Sequence, residues 1–268
     1  MASFAAPLIA PVFGLDPAAV DLLHRVAGPS LARPLGTDEL GRDILLRLLE
    51  GGRISLSIGV AAALAAAALG TAIGLVAGYL GGWLDRVLMR LTDAVIALPL
   101  LPLLIVLAAL DLAKLGIPAQ IAESENISLV RIICLAALAG WTTAARLVRG
   151  ATLVTRNRDF VRAARSLGAG TPHILWRHIL PNVLAPLIVA TSLSVGDVIL
   201  LESVLSFLGL GIQPPLASWG SMLSNAQELI SASPLLAVYP GAMIFVTVVA
   251  CNLLGDALQR HFDRRAAI

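Results

Sequence analysis

Apolar positions along this chain come in long unbroken runs, not in the period-two or period-3.6 patterns of a water-facing surface. Residues 54–80 form a run of 27 positions without a charge. A helix needs about 20 mostly apolar residues to cross a bilayer, so this run predicts a complete span. Four more follow at residues 87–110, 129–147, 183–205 and 235–254. The second is interrupted near its start by Arg90 and Asp93, and the fourth carries Asp197 and Glu202. Residues 2–13 are also apolar, but 12 positions containing Pro7 and Pro11 are too few to span. That stretch lacks the basic start of a signal peptide, because the first arginine is Arg25. It reads as the outer half of a truncated first helix.

Composition agrees. The 268 residues are 58% hydrophobic and 13% charged, with a mean hydropathy of +0.88. Soluble domains run near 25% charged, and a soluble chain of this length has too little interior to hide so much apolar surface. A net charge of +2 and 4% aromatic residues argue against nucleic-acid binding. Cys134 and Cys251 each lie in an apolar run, so neither a disulfide framework nor a metal site is indicated.

Basic residues orient the spans. Arg86 and Arg90, seven arginines between Arg146 and Arg177, and Arg260, Arg264 and Arg265 all fall on one side, which the positive-inside rule makes cytoplasmic. Residues 206–234 hold no basic residue and fall outside. Residues 1–53 mix five arginines with six acids and read as an extracytoplasmic segment with a partial first helix. The division is then residues 1–53, a transmembrane domain over 54–260 with a cytoplasmic loop at 150–182, and a cytoplasmic tail over 261–268.

Gly70, Gly74 and Gly78 recur every fourth residue in the first complete span. Small residues at this spacing let a second helix approach closely, which matters in lipid because apolar side chains gain little by leaving it.

The cytoplasmic loop carries the most information. Asn157 or Asp159 can cap a helix starting near Phe160. Gly168-Ala-Gly170-Thr-Pro172 ends it, and a second short helix over 173–179 is predicted to stop at Pro181. Such a stub is either an interfacial helix held by arginines or a docking knob for a cytoplasmic partner.

Here the motifs resemble a known family. Ala163-Ala164-x-x-x-Gly168, followed by Leu180-Pro181, resembles the EAA loop of bacterial ABC-importer permeases. Arg162 stands where that loop has its glutamate, and His178 stands where it has an isoleucine. Pro34-Leu-Gly-Thr-Asp-Glu-Leu-Gly-Arg-Asp43 is similar to the stretch ahead of the second helix in the peptide/nickel branch, with Arg33 in place of its usual histidine. Leu205-Ser-Phe-Leu-Gly-Leu-Gly-Ile-Gln-Pro-Pro215 and Ser218-Trp-Gly-Ser-Met222 are similar to the loop before that branch's last helix. The resemblance covers nearly the whole chain and is nearest the C-type subunit of dipeptide and oligopeptide importers.

It implies an all-α polytopic permease of the type I fold in a bacterial inner membrane, where such chains have six spans. Five are complete here. It also implies a homologous B-type permease partner, two cytoplasmic ATP-binding subunits and an extracytoplasmic substrate-binding protein. On this expectation Arg162, Ala163, Ala164, Gly168, His178, Leu180 and Pro181 form the ATPase-coupling loop. The cargo is a short peptide, with nickel, opines or glutathione as alternatives within the family. An ATP-independent secondary transporter or channel is the alternative of another class.

The chain is expected to bind no cofactor, with ATP and Mg held by the partner ATPases. Its one lysine, Lys114, follows Ala113, so no phosphate-binding P-loop exists. No Gly-x-Ser-x-Gly or His-Glu-x-x-His occurs either, which leaves an intramembrane enzyme without a nucleophile or metal. His173 and His178 are five apart, off the helical same-face spacings, so no metal is expected. Acids within spans are functional candidates by default. Asp93 near Arg90 is one. Asp197 and Glu202 are the others, roughly 20 and 28 Å above the loop at about 1.5 Å per residue. All three are candidates for facing the translocation path.

Overall fold

A computed structural model of the chain describes residues 3, 16, 19–110, 118, 125–231 and 233–266. The predicted partial first helix at residues 2–13 lies almost wholly outside these. The described elements are α1 (Ile44–Leu80), α2 (Gly82–Ala97), α3 (Leu100–Ala108), α4 (Glu125–Thr155), α5 (Asp159–Ser166), α6 (Thr171–Ile174), a π turn (Leu175–Ile179), α7 (Leu180–Phe207), α8 (Trp219–Ala226) and α9 (Leu235–Ala266). Among the described residues there is no strand beyond the single bridge between Thr37 and Asp43. Four helices are long and apolar enough to cross a membrane, and a fifth crossing results if α2 and α3 are one broken span.

The helices outrun the apolar runs. α1 begins at Ile44 and not at residue 54, because Arg47 is buried at 4% exposure and faces Asp38 at 3.4 Å, so its charge does not end the helix. α4 runs past residue 147 to Thr155, and α9 continues through the expected tail to Ala266. α2 and α3 part at Leu98, whose extended backbone (ψ 139°) is what a residue preceding proline adopts, and the bend is 85°. Pro102 falls in the first turn of α3, where its missing N–H costs little.

The described chain divides into two compact units. Unit one gathers Met1–Val60, Ile105–Ile133 and Asp197–Val249. Its first part is a turn built on Asp38. One carboxylate oxygen accepts from the backbone N–H groups of Leu40 and Arg42 at 2.9 Å, and the other from Arg42 Nε at 2.7 Å. Thus Thr37-Asp-Glu-Leu-Gly-Arg-Asp43 folds around its own first acid, and Asp43 then caps α1 by accepting from Leu46 N. Nearby, Asp21 accepts from Arg33 and meets His24, and these partners hold its carboxyl below its ordinary range.

The rest of unit one centres on Trp219, which is 1% exposed. Its indole N–H donates to the Leu48 carbonyl at 2.9 Å, and Ser218 and Ser221 cap α8 reciprocally.

Unit two gathers Ala61–Leu104, Cys134–Gly196 and Ala250–Ile268. Here the glycine stripe of α1 lies on α4. A methyl group on Gly70 would sit 2.6 Å from Ala144 Cβ, on Gly74 2.6 Å from the Ala145 carbonyl oxygen, and on Gly78 2.7 Å from Thr152 Cβ. Only glycine allows that approach. Arg149, on the same stretch of α4, makes a two-pronged ion pair with Asp85 of α2 at 2.5 and 2.7 Å.

Candidate functional site

The loop between α4 and α7 is built in unit two and begins with a tie to α1. Arg156 donates through Nη1 to the Gly78 carbonyl oxygen at 2.7 Å and to that of Tyr79 at 3.3 Å. These are last-turn carbonyls that no helical N–H can reach. Arg165 adds a second tie, donating to the Tyr79 hydroxyl at 3.3 Å with its guanidinium 5.5 Å from the ring centre.

Between these ties, α5 presents two faces. Val161 is fully buried and joins Ile174, Ile179, Val148, Leu75 and Val183 in one cluster. Burying each such side chain away from water stabilises by about 1.5–3 kcal/mol. The opposite face carries Phe160 at 44% exposure, Ala163, and Leu167 at 88%. Positions 160, 163 and 167 share one side of a helix, so this face is apolar, level and open. Trp176, at 72% exposure, adds a further open apolar side chain. Sequence reasoning singled out the alanines but missed Phe160, Leu167 and Trp176.

Three details differ from expectation. The cap of α5 is neither Asn157 nor Asp159. Arg158 stands at that position without a side-chain cap, and Asp159 lies in the first turn, where its charge favours the helix dipole. Pro181 does not stop the second helix. The chain passes through a π turn into α7 instead, and a widened turn makes room for a proline that lacks an N–H. The same turn overturns the spacing argument for the histidines. A π turn repeats near five residues, and the rings of His173 and His178 stand 5.6 Å apart, with Phe160 at 6.3 Å from His178. Leu180 packs against the buried cluster.

α5 ends in a Schellman turn. Ala169 N donates to the Ala164 carbonyl at 3.1 Å and Gly168 N to that of Arg165 at 3.0 Å. Gly168 has φ +85°, and a methyl group there would meet nothing within 4 Å. Glycine is therefore required by backbone conformation and not by crowding. Ala163 is exposed and Ala164 half-buried. Arg162, whose side chain is 73% exposed, faces only Asp159 at 3.6 Å, a weak surface pair.

The three span acids part company. Asp93 pairs with Arg146 at 2.6 Å, not with Arg90. Glu202, expected on the path, is turned into the interior of unit one. It is 0% exposed and accepts from Ser206 Oγ at 2.6 Å and Ser55 Oγ at 3.2 Å. The same two hydroxyls accept from the backbone N–H groups of Ile212 and Trp219, so Glu202 organises the loop between α7 and α8. Asp197 is exposed on its helix, with exposed Leu200 and Val204 one and two turns on. Among the described residues, no group of three or more metal-ligating side chains is present.

Comparison with known proteins agrees with this architecture. Residues 70–268 match the family model described as "Binding-protein-dependent transport system inner membrane component". The glutathione transport system permease protein GsiD of Shigella flexneri is 43% identical over 236 residues, 88% of this chain and 73% of that one. The oligopeptide transport system permease protein OppC of Bacillus subtilis is 37% identical over 257 residues, 96% of this chain and 80% of that one. A chain of the MetNI methionine ABC transporter, at 15% identity, shares the fold with a TM-score of 0.63 over 81% of this chain and 97% of its own. The chain belongs to the family of binding-protein-dependent transport system inner membrane components, the permease subunits of ABC importers.

Proposed function

We propose that this permease forms half of a translocation path for short peptides and is driven through the α5 loop by ATPases on the cytoplasmic side. The observation that carries the coupling is the two-faced α5, with Val161 locked into the helix cluster and Phe160, Ala163 and Leu167 open to a partner. A rigid knob joined to α1 by Arg156 and to α7 by the π turn moves those helices when its partner moves. ATP and Mg sit on the two ATP-binding subunits, and this chain performs no hydrolysis. A homologous B-type permease completes the path, and an external binding protein delivers cargo. The relatives support the cargo class. OppC is named for oligopeptides, and GsiD for glutathione, itself a tripeptide. The proposal assigns Asp197 to the path, where a carboxylate meets a peptide amino terminus; its exposure on α7 supports that reading.

Uptake of labelled di- and tripeptides tests the cargo, in cells carrying the whole importer. The proposal expects uptake that is lost on deleting residues 160–178, together with loss of ATPase co-purification. Uptake of peptides that survives the deletion contradicts the coupling role, and absence of peptide uptake by the intact importer contradicts the cargo. Asp197→Asn is expected to reduce uptake, and unchanged uptake removes it from the path.

A further inference from the structure

Helix α2 presents an outward surface that the transport mechanism does not use. Its inward side is tied to α4 by two ion pairs, Asp85 with Arg149 and Asp93 with Arg146. Both carboxylates are thereby engaged. Arg86 and Arg90 remain exposed on the outward side. Arg86 donates only to the Gly82 carbonyl of its own helix, and Arg90 makes no hydrogen bond or ion pair among the described residues. They are four apart and so neighbours on the helix surface. An open cleft of about 210 Å³ lies against them, bounded also by Met89, Asp93 and the Asp85–Arg149 pair.

Beside the arginines runs an apolar stripe at the same spacing: Trp83 at 68% exposure, Val87 at 53% and Leu91 at 55%. Leu80, Leu98 and Leu101 of unit two are exposed as well, apolar surface of the kind that faces lipid. The 85° bend after α2 lets this helix run along a membrane surface while the next one enters it. A tryptophan beside a paired cationic row is the composition of a helix at the lipid–water boundary.

We propose that α2 lies in the cytoplasmic interface of the membrane, with Trp83, Val87 and Leu91 in the acyl chains, and that Arg86 and Arg90 bind the phosphate of an anionic phospholipid. Bilayer lipid is favoured over a protein partner because the cationic pair adjoins the exposed apolar stripe. The two carboxylates that share the cleft, Asp85 and Asp93, are each neutralised by an arginine of α4, which leaves Arg86 and Arg90 as its unpaired charges. The inference rests on the chain's place in a membrane and not on its cargo.

The test uses the assembled importer in nanodiscs of phosphatidylcholine with a minority of phosphatidylglycerol. Bromine is placed on one lipid or the other at equal mole fraction. Trp83 emission is the difference between wild type and Trp83→Phe. Brominated phosphatidylglycerol is expected to quench Trp83 several-fold more than brominated phosphatidylcholine. Arg86→Gln with Arg90→Gln is expected to abolish the preference while quenching persists. Each arginine near an anionic surface contributes up to about fivefold at low salt, so Arg90→Gln alone should lower the preference by up to that factor. If the double variant does not assemble, raising salt on the wild type should erode the same preference. Equal quenching by both lipids overturns the headgroup site. Absence of quenching by either shows that protein covers the face, and overturns the lipid reading altogether.

Discussion

Arg156 reaches from the first turn beyond α4 to the Gly78 carbonyl oxygen, 2.7 Å away, at the point where the glycine stripe of α1 ends. One guanidinium thus joins the beginning of the α5 loop to the end of α1, the helix whose glycine stripe lies on α4. A charge-assisted hydrogen bond is worth about 1.5–3 kcal/mol. Arg156→Ala is expected to lower the thermal midpoint of the purified permease and to weaken stimulation of ATP hydrolysis by cargo-loaded binding protein. Arg156→Lys should restore part of both. An unchanged midpoint and full stimulation in Arg156→Ala would show that the tie carries nothing.

Gly168 separates backbone strain from crowding. A side chain there meets open space but must adopt φ +85°, at a cost of roughly 1–2 kcal/mol for most residues and less for asparagine. Gly168→Leu is expected to loosen the Schellman turn and uncouple hydrolysis from transport, while Gly168→Asn stays close to wild type. The ratio of ATP hydrolysed to cargo moved, in proteoliposomes, reads this directly. Normal coupling in Gly168→Leu contradicts the role of the turn.

The glycine stripe makes the opposite case. At Gly74 any side chain collides with the Ala145 carbonyl oxygen and Val148 Cβ, whereas Gly150 on α4 has nothing within 4 Å. Overpacking costs about 1–3 kcal/mol. Gly74→Leu should therefore lower the thermal midpoint and the yield of assembled importer, and Gly150→Ala should leave both unchanged. Equal effects from the two variants would remove close helix approach as the reason for the stripe.

Glu202 holds Ser55 and Ser206, and through them the backbone of Ile212 and Trp219. Glu202→Ala leaves the buried O–H donors of Ser55 and Ser206 without an acceptor, at about 1–3 kcal/mol each. Glu202→Gln keeps an acceptor and costs less. Limited proteolysis of the loop between α7 and α8, with cleavage near residues 208–217, should rise strongly in Glu202→Ala and weakly in Glu202→Gln. Protection equal to wild type in both would mean that the loop is held by other contacts.

Four of the five spans and the stripe Gly70, Gly74, Gly78 were legible in the sequence because long apolar runs and a period of four survive any tertiary arrangement, whereas the run over 87–110 gave no sign of the 85° break between α2 and α3. The start of α1 was not, because Arg47, Glu50 and Arg53 interrupt the apolar pattern ahead of residue 54, and nothing local shows that Arg47 is buried against Asp38. His173 and His178 were misjudged because five-residue spacing excludes contact in an α-helix but produces it in a π turn. Motif alanines mark the coupling loop, yet only the burial of Val161 shows that Phe160 and Leu167 face outward with Ala163. Glu202 read as a path residue because its partners lie 147 positions upstream in Ser55 and one turn on in Ser206, a closure that no local pattern records.

The most direct measurement concerns the outward face of α5. With Cys134 and Cys251 replaced by alanine, a cysteine is introduced by Ala163→Cys and carries a short photo-crosslinker in the assembled importer. The coupling role expects a covalent product with the ATP-binding subunit, in a yield that changes when ATP is added. The same probe introduced by Ser57→Cys in α1 should give none. If the probe at position 163 labels only lipid or the permease itself while transport is intact, α5 is not the element that receives the ATPase.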